Sequence, residues 1–111
     1  FNIDPAEVEA ALLRHPAVAE VAVVAVPERK LGEQACAVCR LRTDDGSIDL
    51  SALLHHLSQQ GLSRKKWPEH LVLVEAMAVT ATGKLDKKAM AAIAVEEVAR
   101  RRAASAARQD A

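Results

Sequence analysis

Residues 18–26 form a run that is rich in valine and apolar at every position except Glu20. Branched side chains such as valine favour extended backbone over helix. Successive side chains of a strand point to opposite faces, so a strand that is apolar at both alternating sets of positions has to be covered on both faces. We therefore predict that this run is the central strand of a small sheet, with other elements packed against each of its faces.

The segments on either side of this run predict a helix and a second strand. Asp4 and Glu7 stand in the order of a capping box, with proline at the first helical position between them, which predicts a helix over residues 4–15. Downstream, a polar turn that contains Gly32 leads into residues 34–42, where side chains alternate between two faces. Two strands joined by a short glycine-containing turn predict an antiparallel hairpin.

The second half of the chain completes a mixed fold. Leucines spaced three and four residues apart predict an amphipathic helix that starts near Leu50 and is stopped by Gly61. A third strand over residues 71–75 and a loop over residues 76–85 follow, and a last helix begins at about Lys87. The order α-β-β-α-β-α predicts an α+β fold, a small mixed three-stranded sheet flanked by helices.

Charge and composition exclude several classes of function. The length of 111 residues fits one domain, and its 15 basic and 15 acidic side chains cancel, which argues against a nucleic-acid-binding module with a basic face. No apolar run reaches the roughly 18 residues that a membrane span needs. Two cysteines without a secretion signal fit a reducing, cytoplasmic setting. The chain opens on Phe rather than Met, so we expect a piece of a longer protein.

The cysteines and histidines could suggest a redox or metal site, but their placement favours structural roles. Cys36 and Cys39 lie within the predicted second strand, three positions apart and hence on opposite faces. A redox pair needs a cysteine at a helix N-terminus, and a zinc site needs more ligands than these two. We expect buried, inert thiols, no metal site, and a partly charged His15 at the C-terminal end of the first helix.

Two basic runs have competing interpretations. Residues 64–66 could hold a phosphate, or they could form a solvated turn between the second helix and the third strand. Residues 100–102 are three consecutive arginines near the end of the chain, and we expect them to belong to a solvated tail.

A third basic group lies on the loop that precedes the last helix. There Thr80 and Thr82 are followed by Gly83 and Lys84. Glycine allows close approach of the backbone, and lysine supplies a mobile charge on a long stem, so the pair can present an ammonium to an anionic centre. The glycine that a phosphate-binding P-loop places four residues before the pair is missing. By itself the pair favours an ordinary surface loop.

Short motifs run through the chain in a characteristic order. They are NIDPAEVE at 2–9, HPAV at 15–18, VPE at 26–28 with GE at 32–33, KWPE at 66–69 and TATGKL at 80–85. This succession resembles the C-terminal subdomain of the adenylate-forming enzymes, the superfamily of acyl-CoA synthetases, peptide-synthetase adenylation domains and luciferases. The resemblance covers residues 1–92, which implies one subdomain there and an Ala/Arg-rich helix or frayed tail over residues 93–111.

The resemblance implies a two-step ligase. A carboxylic acid attacks the α-phosphate of ATP, giving an acyl-adenylate and pyrophosphate, and a thiol, usually of coenzyme A, then displaces AMP. An N-terminal adenylation core of the same polypeptide would bind ATP, with Mg²⁺, and the acid. The C-terminal subdomain would rotate between two poses, one for each step. Lys84 matches the family's catalytic lysine, which contacts the carboxylate, the ribose and the α-phosphate, and Thr80, Thr82 and Gly83 form its supporting loop.

Two further positions are interpreted through the same resemblance. Phe1 and Asn2 match a loop that helps to line the thiol channel in the thioester-forming pose. Ala78 stands where the family commonly has proline, six residues before the lysine, which affects the rigidity of the loop entry. Alone, this chain is expected to be inactive, because the core would hold the rest of the active site.

Three hypotheses about function remain open at this stage. The leading one is the subdomain of an acyl-CoA ligase acting on a fatty, alicyclic or aromatic acid. A second is a peptide-synthetase or aryl-acid adenylation enzyme that loads the thiol of a carrier protein, since Asp86 matches the peptide-synthetase version of the lysine motif. A third is a stand-alone binding module without catalysis, because a fold does not by itself prove a function.

Overall fold

The computed structural model describes residues 3–30, 32–42 and 48–109. In chain order the elements are α1 (Pro5–Leu13), β1 (Val18–Glu28), β2 (Gly32–Leu41), α2 (Leu50–Gln59), a 3₁₀ turn (Arg64–Lys66), β3 (His70–Leu73) and α3 (Lys87–Gln109). The predicted order and the α+β class are confirmed. Within the described ranges, every helix is too short or too polar to cross a bilayer.

The three strands form one mixed sheet with the order β1-β2-β3. β1 and β2 pair antiparallel, from Val18 opposite Leu41 to the turn, and β2 and β3 pair parallel. The prediction of a mixed sheet is therefore confirmed, but the prediction that residues 18–26 form its central strand is wrong. β2 is central and β1 lies at the edge, because apolar alternation reports which faces are covered and carries no information on neighbours within the sheet.

Both faces of β1 are covered, as its apolar pattern predicts. Val21 and Val23 belong to a core that includes buried residues of α1 and α2. Val24 and Val26 belong to a second core on the other face, where Met90 of α3 is buried. The sheet is thus the middle layer between α1 and α2 on one side and α3 on the other.

The first helix starts as its sequence indicates, with one difference. The Asp4 carboxylate accepts a hydrogen bond from the Ala6 N–H at 3.0 Å, and Pro5 occupies the first helical turn. Both oxygens of Glu7, however, contact the Lys66 ammonium, at 2.9 and 3.2 Å. Glu7 therefore links α1 to the 3₁₀ turn, which the capping-box pattern did not predict.

The last helix continues to Gln109, well beyond its buried residues. Met90, Ala94 and Val98 bury one side of α3 against the sheet. Further on, Arg101 donates to the Leu71 carbonyl at 2.7 Å, and Arg102 donates to a carbonyl of the β1–β2 hairpin, also at 2.7 Å. Arg101 and Arg102 are exposed to solvent, as expected, but they also attach the helix to the two edge strands of the sheet, which the sequence did not predict.

Candidate functional site

Lys84 lies on a tight hairpin between β3 and α3. A single antiparallel bridge pairs Val79 with Leu85. Inside it, the Thr80 N–H donates to the Lys84 carbonyl at 2.7 Å. The segment predicted as a patternless loop is therefore a hydrogen-bonded turn. The hydrogen bonds of this turn fix the position of the Lys84 backbone relative to the start of α3.

The residues predicted to support the lysine make up this turn. The Thr80 hydroxyl accepts a hydrogen bond from the Lys84 N–H at 3.2 Å and lies 3.1 Å from the Thr82 hydroxyl. Gly83 donates its N–H to the Thr80 carbonyl at 2.9 Å and has a φ of 84°, a left-handed conformation that side-chain-bearing residues rarely adopt. Nothing lies within 4 Å of the position a Cβ would take, so conformation rather than space requires glycine.

The base of the hairpin is joined to the first turn of α3. Asp86 donates its N–H to the Ala78 carbonyl at 2.9 Å, and its carboxylate caps the helix by accepting from the Ala89 N–H at 3.0 Å. The Ala78 N–H in turn contacts the sulfur of Met90 at 3.2 Å. A proline at position 78 would lack this N–H, so the departure from the family pattern supplies an additional contact.

The charge on Lys84 is presented to solvent. Lys84 is exposed, and its ammonium has no ion-pair partner in the part of the chain that the structure describes. The same holds for Lys88 within those residues, whereas Lys87 pairs with Glu9 at 2.5 Å. The hairpin therefore offers an uncompensated positive charge on a fixed backbone.

Two surface grooves among the described residues lie away from the hairpin. A surface groove of 610 Å³ lies between His15 and α2, and a second, of 390 Å³, lies along β3. Residues outside 76–86 line both grooves. Neither of these two grooves is formed by the turn that carries Lys84.

The structure brings four of the six predicted site residues together. Thr80, Thr82, Gly83 and Lys84 share the one turn. Phe1 and Asn2, the predicted thiol-channel residues, lie outside the described residues.

The two cysteines have the structural role that strand alternation predicts. Cys36 and Cys39 are free thiols, fully buried, and belong to the cores on opposite faces of the sheet. Burial raises the pKa of Cys36 to about 11 and that of Cys39 to about 12. Thiolate is the reactive form, so these thiols are inert at neutral pH.

His15, His56 and His70 make hydrogen bonds within the fold, but the prediction of a partly charged His15 is wrong. Burial, followed by the neighbouring His56, lowers the pKa of His15, whose Nδ1 accepts the Ala17 N–H at 3.0 Å. The ring is therefore neutral rather than partly charged at the end of α1. It meets the His56 ring edge-on at 5.0 Å, and His56 Nε2 donates to the Ala11 carbonyl at 2.7 Å.

Two residues of the basic run at 64–66 contact other side chains of the fold. Lys66 pairs with Glu7, and the Arg64 guanidinium lies 5.7 Å from the centre of the Trp67 ring. Lys65 is exposed. Two of the three cations therefore have contacts within the fold, which favours the solvated-turn interpretation over a phosphate site.

One residue near the hairpin was not predicted from the sequence. Glu9 reaches from α1 to both β1 and Lys87, and its side chain is only 18% exposed. The available signal was its position beside Val8 and three residues before Leu12, on the flank of the buried face of α1. A carboxylate in that position needs partners inside the fold.

Comparison with known proteins identifies close similarity over most of the chain. Residues 7–84 match the AMP-binding enzyme C-terminal domain. The chain is 36% identical over 86 residues to the medium-chain fatty-acid–CoA ligase of Escherichia coli (strain K12) and 38% identical over 84 residues to the vibriobactin-specific 2,3-dihydroxybenzoate-AMP ligase of Vibrio cholerae. The crystal structure of the acyl-CoA synthetase of Brucella canis superimposes with a TM-score of 0.76 at 32% identity.

These matches cover most of this chain and little of the other proteins. They include 78% and 76% of the chain for the two ligases and 87% for the synthetase. The chain spans 15% of the length of each ligase and 18% of the synthetase.

Proposed function

The chain belongs to the family of AMP-binding enzyme C-terminal domains, and on that basis we propose that it is the mobile lid subdomain of an ATP-dependent acyl-CoA ligase. In this proposal a larger polypeptide forms an acyl-adenylate and then an acyl thioester, and this chain contributes the lysine for the first step. The support comes from the acyl-CoA ligases among its relatives and from the geometry of the Lys84 hairpin.

One observation carries the proposal. Lys84 combines a backbone fixed by hydrogen bonds with an exposed ammonium that has no ion-pair partner among the described residues. A merely structural surface lysine needs no such bracing. A catalytic cation does, because donors that are positioned in advance stabilise developing charge without reorganising during the reaction.

The chemistry of adenylation needs such a cation. A carboxylate oxygen attacks the α-phosphorus of ATP, a new C–O–P linkage forms, and the bond to pyrophosphate breaks. Two anions must approach each other, and negative charge grows where they meet. In the proposal the Lys84 ammonium reduces their repulsion and stabilises that charge, while the braced hairpin limits the entropy lost on positioning it.

The second step would use a different pose of the same subdomain. A thiol, deprotonated as it attacks, displaces AMP from the acyl-adenylate. We propose that the hairpin has by then rotated away with the subdomain, so Lys84 has no anion to stabilise. The absence of hairpin residues from the two grooves near α2 and β3 fits a site that is shared with another domain.

ATP and coenzyme A enter this proposal as substrates held mainly by the adenylation core. The Mg²⁺ expected with ATP would be held there together with the nucleotide, because this ion is bound mainly through the substrate phosphates, waters and one or two carboxylates. The ion would neutralise phosphate charge. For adenylation, the charge that this chain contributes is the Lys84 ammonium.

The test separates the two steps in the full-length ligase. Lys84→Ala should slow adenylation, measured as pyrophosphate exchange, by about 10²–10³-fold. Formation of thioester from supplied acyl-adenylate and thiol should stay within about threefold of wild type. Lys88→Ala is the matched control, since Lys88 is also exposed and lies four residues further along the chain, in the first turn of α3. That variant should retain both activities.

Other outcomes would contradict the proposal in different ways. Equal damage to both steps would make Lys84 a structural residue. Unchanged activity in both would favour a subdomain without a catalytic role.

A second candidate function is supported by a specific similarity. The identity to the 2,3-dihydroxybenzoate-AMP ligase is 38%, slightly above the 36% identity to the fatty-acid–CoA ligase. This favours, as an alternative, an aryl-acid adenylation enzyme that loads a carrier protein. Offering coenzyme A and a phosphopantetheinylated carrier protein to the full-length enzyme in parallel decides between them, because only the true acceptor thiol should form thioester rapidly.

A further inference from the structure

The carboxylate of Glu9 joins three elements at one point. A single oxygen, Oε2, accepts a hydrogen bond from the Val23 N–H of β1 at 2.8 Å and contacts the Lys87 ammonium at 2.5 Å. Glu9 belongs to α1, Val23 to the edge strand, and Lys87 is the first residue of α3. The start of α3 is thereby attached to the layer on the opposite side of the sheet.

The start of α3 is also where the Lys84 hairpin is anchored. Lys87 lies three residues after Lys84. The intervening Asp86 both caps α3 and closes the base of the hairpin through Ala78. A displacement of the first turn of α3 therefore moves the backbone of Lys84, because the hydrogen bonds of the hairpin transmit it.

The Glu9–Lys87 pair differs from an ordinary surface ion pair in its carboxylate, which is largely buried, although Lys87 itself is 46% exposed. Glu9 is only 18% exposed, and its charge also satisfies an amide at the edge of the sheet, so both its interactions are charge-assisted. The Glu7–Lys66 pair provides a comparison on the same helix. There both side chains are about 40% exposed, and the pair connects α1 to the 3₁₀ turn, away from the hairpin. Such exposed pairs contribute little.

We propose that Glu9 is a positioning residue for Lys84: by holding Lys87 it fixes the first turn of α3, and with it the hairpin, where the Lys84 ammonium meets its anions. This inference rests on the proposed role of Lys84 in adenylation. In this scheme Glu9 contacts no reacting atom and acts only through Lys87.

The first test uses Glu9→Gln in the full-length ligase. The amide oxygen of Gln can still accept from the Val23 N–H, so the variant removes the attraction for Lys87 and keeps the strand contact. Adenylation by pyrophosphate exchange should fall roughly tenfold, since small misplacements of a reacting group are costly. Thioester formation from supplied acyl-adenylate should stay within about twofold, because Lys84 does not act in that step. Glu7→Gln is the matched control and should leave both rates unchanged.

The second test perturbs the other side of the pair. Lys87→Met should reproduce the loss seen in Glu9→Gln, and Lys87→Arg, which keeps the charge, should restore adenylation. The double variant Glu9→Gln/Lys87→Met should be no slower than either single variant, because both remove the same interaction. Lys87 is 46% exposed, so these variants leave the core intact.

A kinetic cycle with Lys84 separates positioning from general destabilisation. In a Lys84→Ala background, Glu9→Gln should lower adenylation no further, since the group it positions is gone. A further loss there, equal losses in both half-reactions, or unchanged adenylation in Glu9→Gln would overturn the proposal. If Lys84→Ala itself leaves adenylation intact, the proposed function fails instead, and the two failures are distinguishable.

Discussion

Thr80 and Lys84 are held together by two hydrogen bonds that run in opposite senses. The Thr80 N–H donates to the Lys84 carbonyl at 2.7 Å, and the Thr80 hydroxyl accepts from the Lys84 N–H at 3.2 Å. The backbone of Lys84 is therefore fixed on both sides, while its side chain is free to extend into solvent. A lysine that meets its anions in only one pose of a moving domain benefits from a fixed backbone, which places the side chain correctly. A mobile side chain then lets the ammonium reach the anions.

The left-handed glycine of this turn gives the first prediction. Gly83→Ala should lower the free energy of unfolding by about 1–2 kcal/mol, because a φ of 84° brings a Cβ against the neighbouring carbonyl. The turn should relax toward another conformation, so adenylation in the full-length protein should also fall. Urea denaturation measures the first effect and pyrophosphate exchange the second.

Gly61 supplies the matched control for this variant. It has a φ of 78°, and nothing lies within 4 Å of its Cβ position, as at Gly83. Gly61→Ala should therefore destabilise the chain by a similar amount but leave adenylation unchanged. If both variants lose adenylation equally, stability rather than the shape of the hairpin governs activity.

The buried thiols give the second prediction. With pKa values raised to about 11 and about 12, Cys36 and Cys39 are almost wholly protonated at pH 8. Ellman's reagent should therefore label neither thiol in the folded chain within the time that it labels both in urea. Rapid labelling of one folded-state thiol would revive a redox or thiol role for the Cys36–Cys39 pair.

The histidines give the third prediction, a loss of stability on mild acidification. Burial is the main cause that lowers the pKa of both His15 and His70 below 6.5, and Arg102 is the next cause for His70. At a pH between the folded-state pKa values of these two histidines and 6.5, the unfolded chain binds more protons than the folded chain. The stability that the neutral histidines contribute is therefore complete above pH 6.5 and is lost as the pH falls below it.

The double variant His15→Gln/His70→Gln tests this linkage. Urea unfolding is measured for this variant and for the wild type at pH 7.5 and at pH 5.5. For each protein, the difference between the two pH values is the loss in the free energy of unfolding on acidification. The loss in the variant should be the smaller one, because two groups that titrate between the states have been removed. Equal losses would show that other groups, such as carboxylates, account for the pH dependence.

Local patterns in the sequence were sufficient for the elements but not for their mutual placement. The leucine spacing after Leu50 and the alternation around Cys36 and Cys39 report which side of an element is buried, and the structure confirms both. Neither pattern contains information on sheet order, so β1 was placed at the centre when it lies at the edge. The buried face of an element can be predicted from its local sequence, whereas the order of strands in the sheet cannot.

The same distinction applies to the site. The residues of the Lys84 turn are consecutive, so their motif could predict them together. Glu9 and Lys87 meet only through the folded sheet, and Arg101 finds the Leu71 carbonyl 30 residues away. The charge predicted for His15 is wrong for a similar reason, since burial in the folded chain, followed by the His56 ring of another helix, lowers the pKa of His15. Long-range contacts of single side chains leave no periodic signal in a sequence.

The last prediction concerns nucleotide binding by the 111-residue chain alone. Lys84 offers one cation on an exposed hairpin, and the grooves of 610 and 390 Å³ lie elsewhere, at His15 and along β3. One solvent-screened charge without a surrounding pocket contributes little affinity for a triphosphate. Isothermal titration of the isolated chain with ATP at micromolar concentration should therefore show no saturable heat, whereas the full-length protein should bind. Saturable binding that survives Lys84→Ala would place a nucleotide site within this chain away from the hairpin. Saturable binding that Lys84→Ala abolishes would mean that the hairpin needs no second domain to hold its anion.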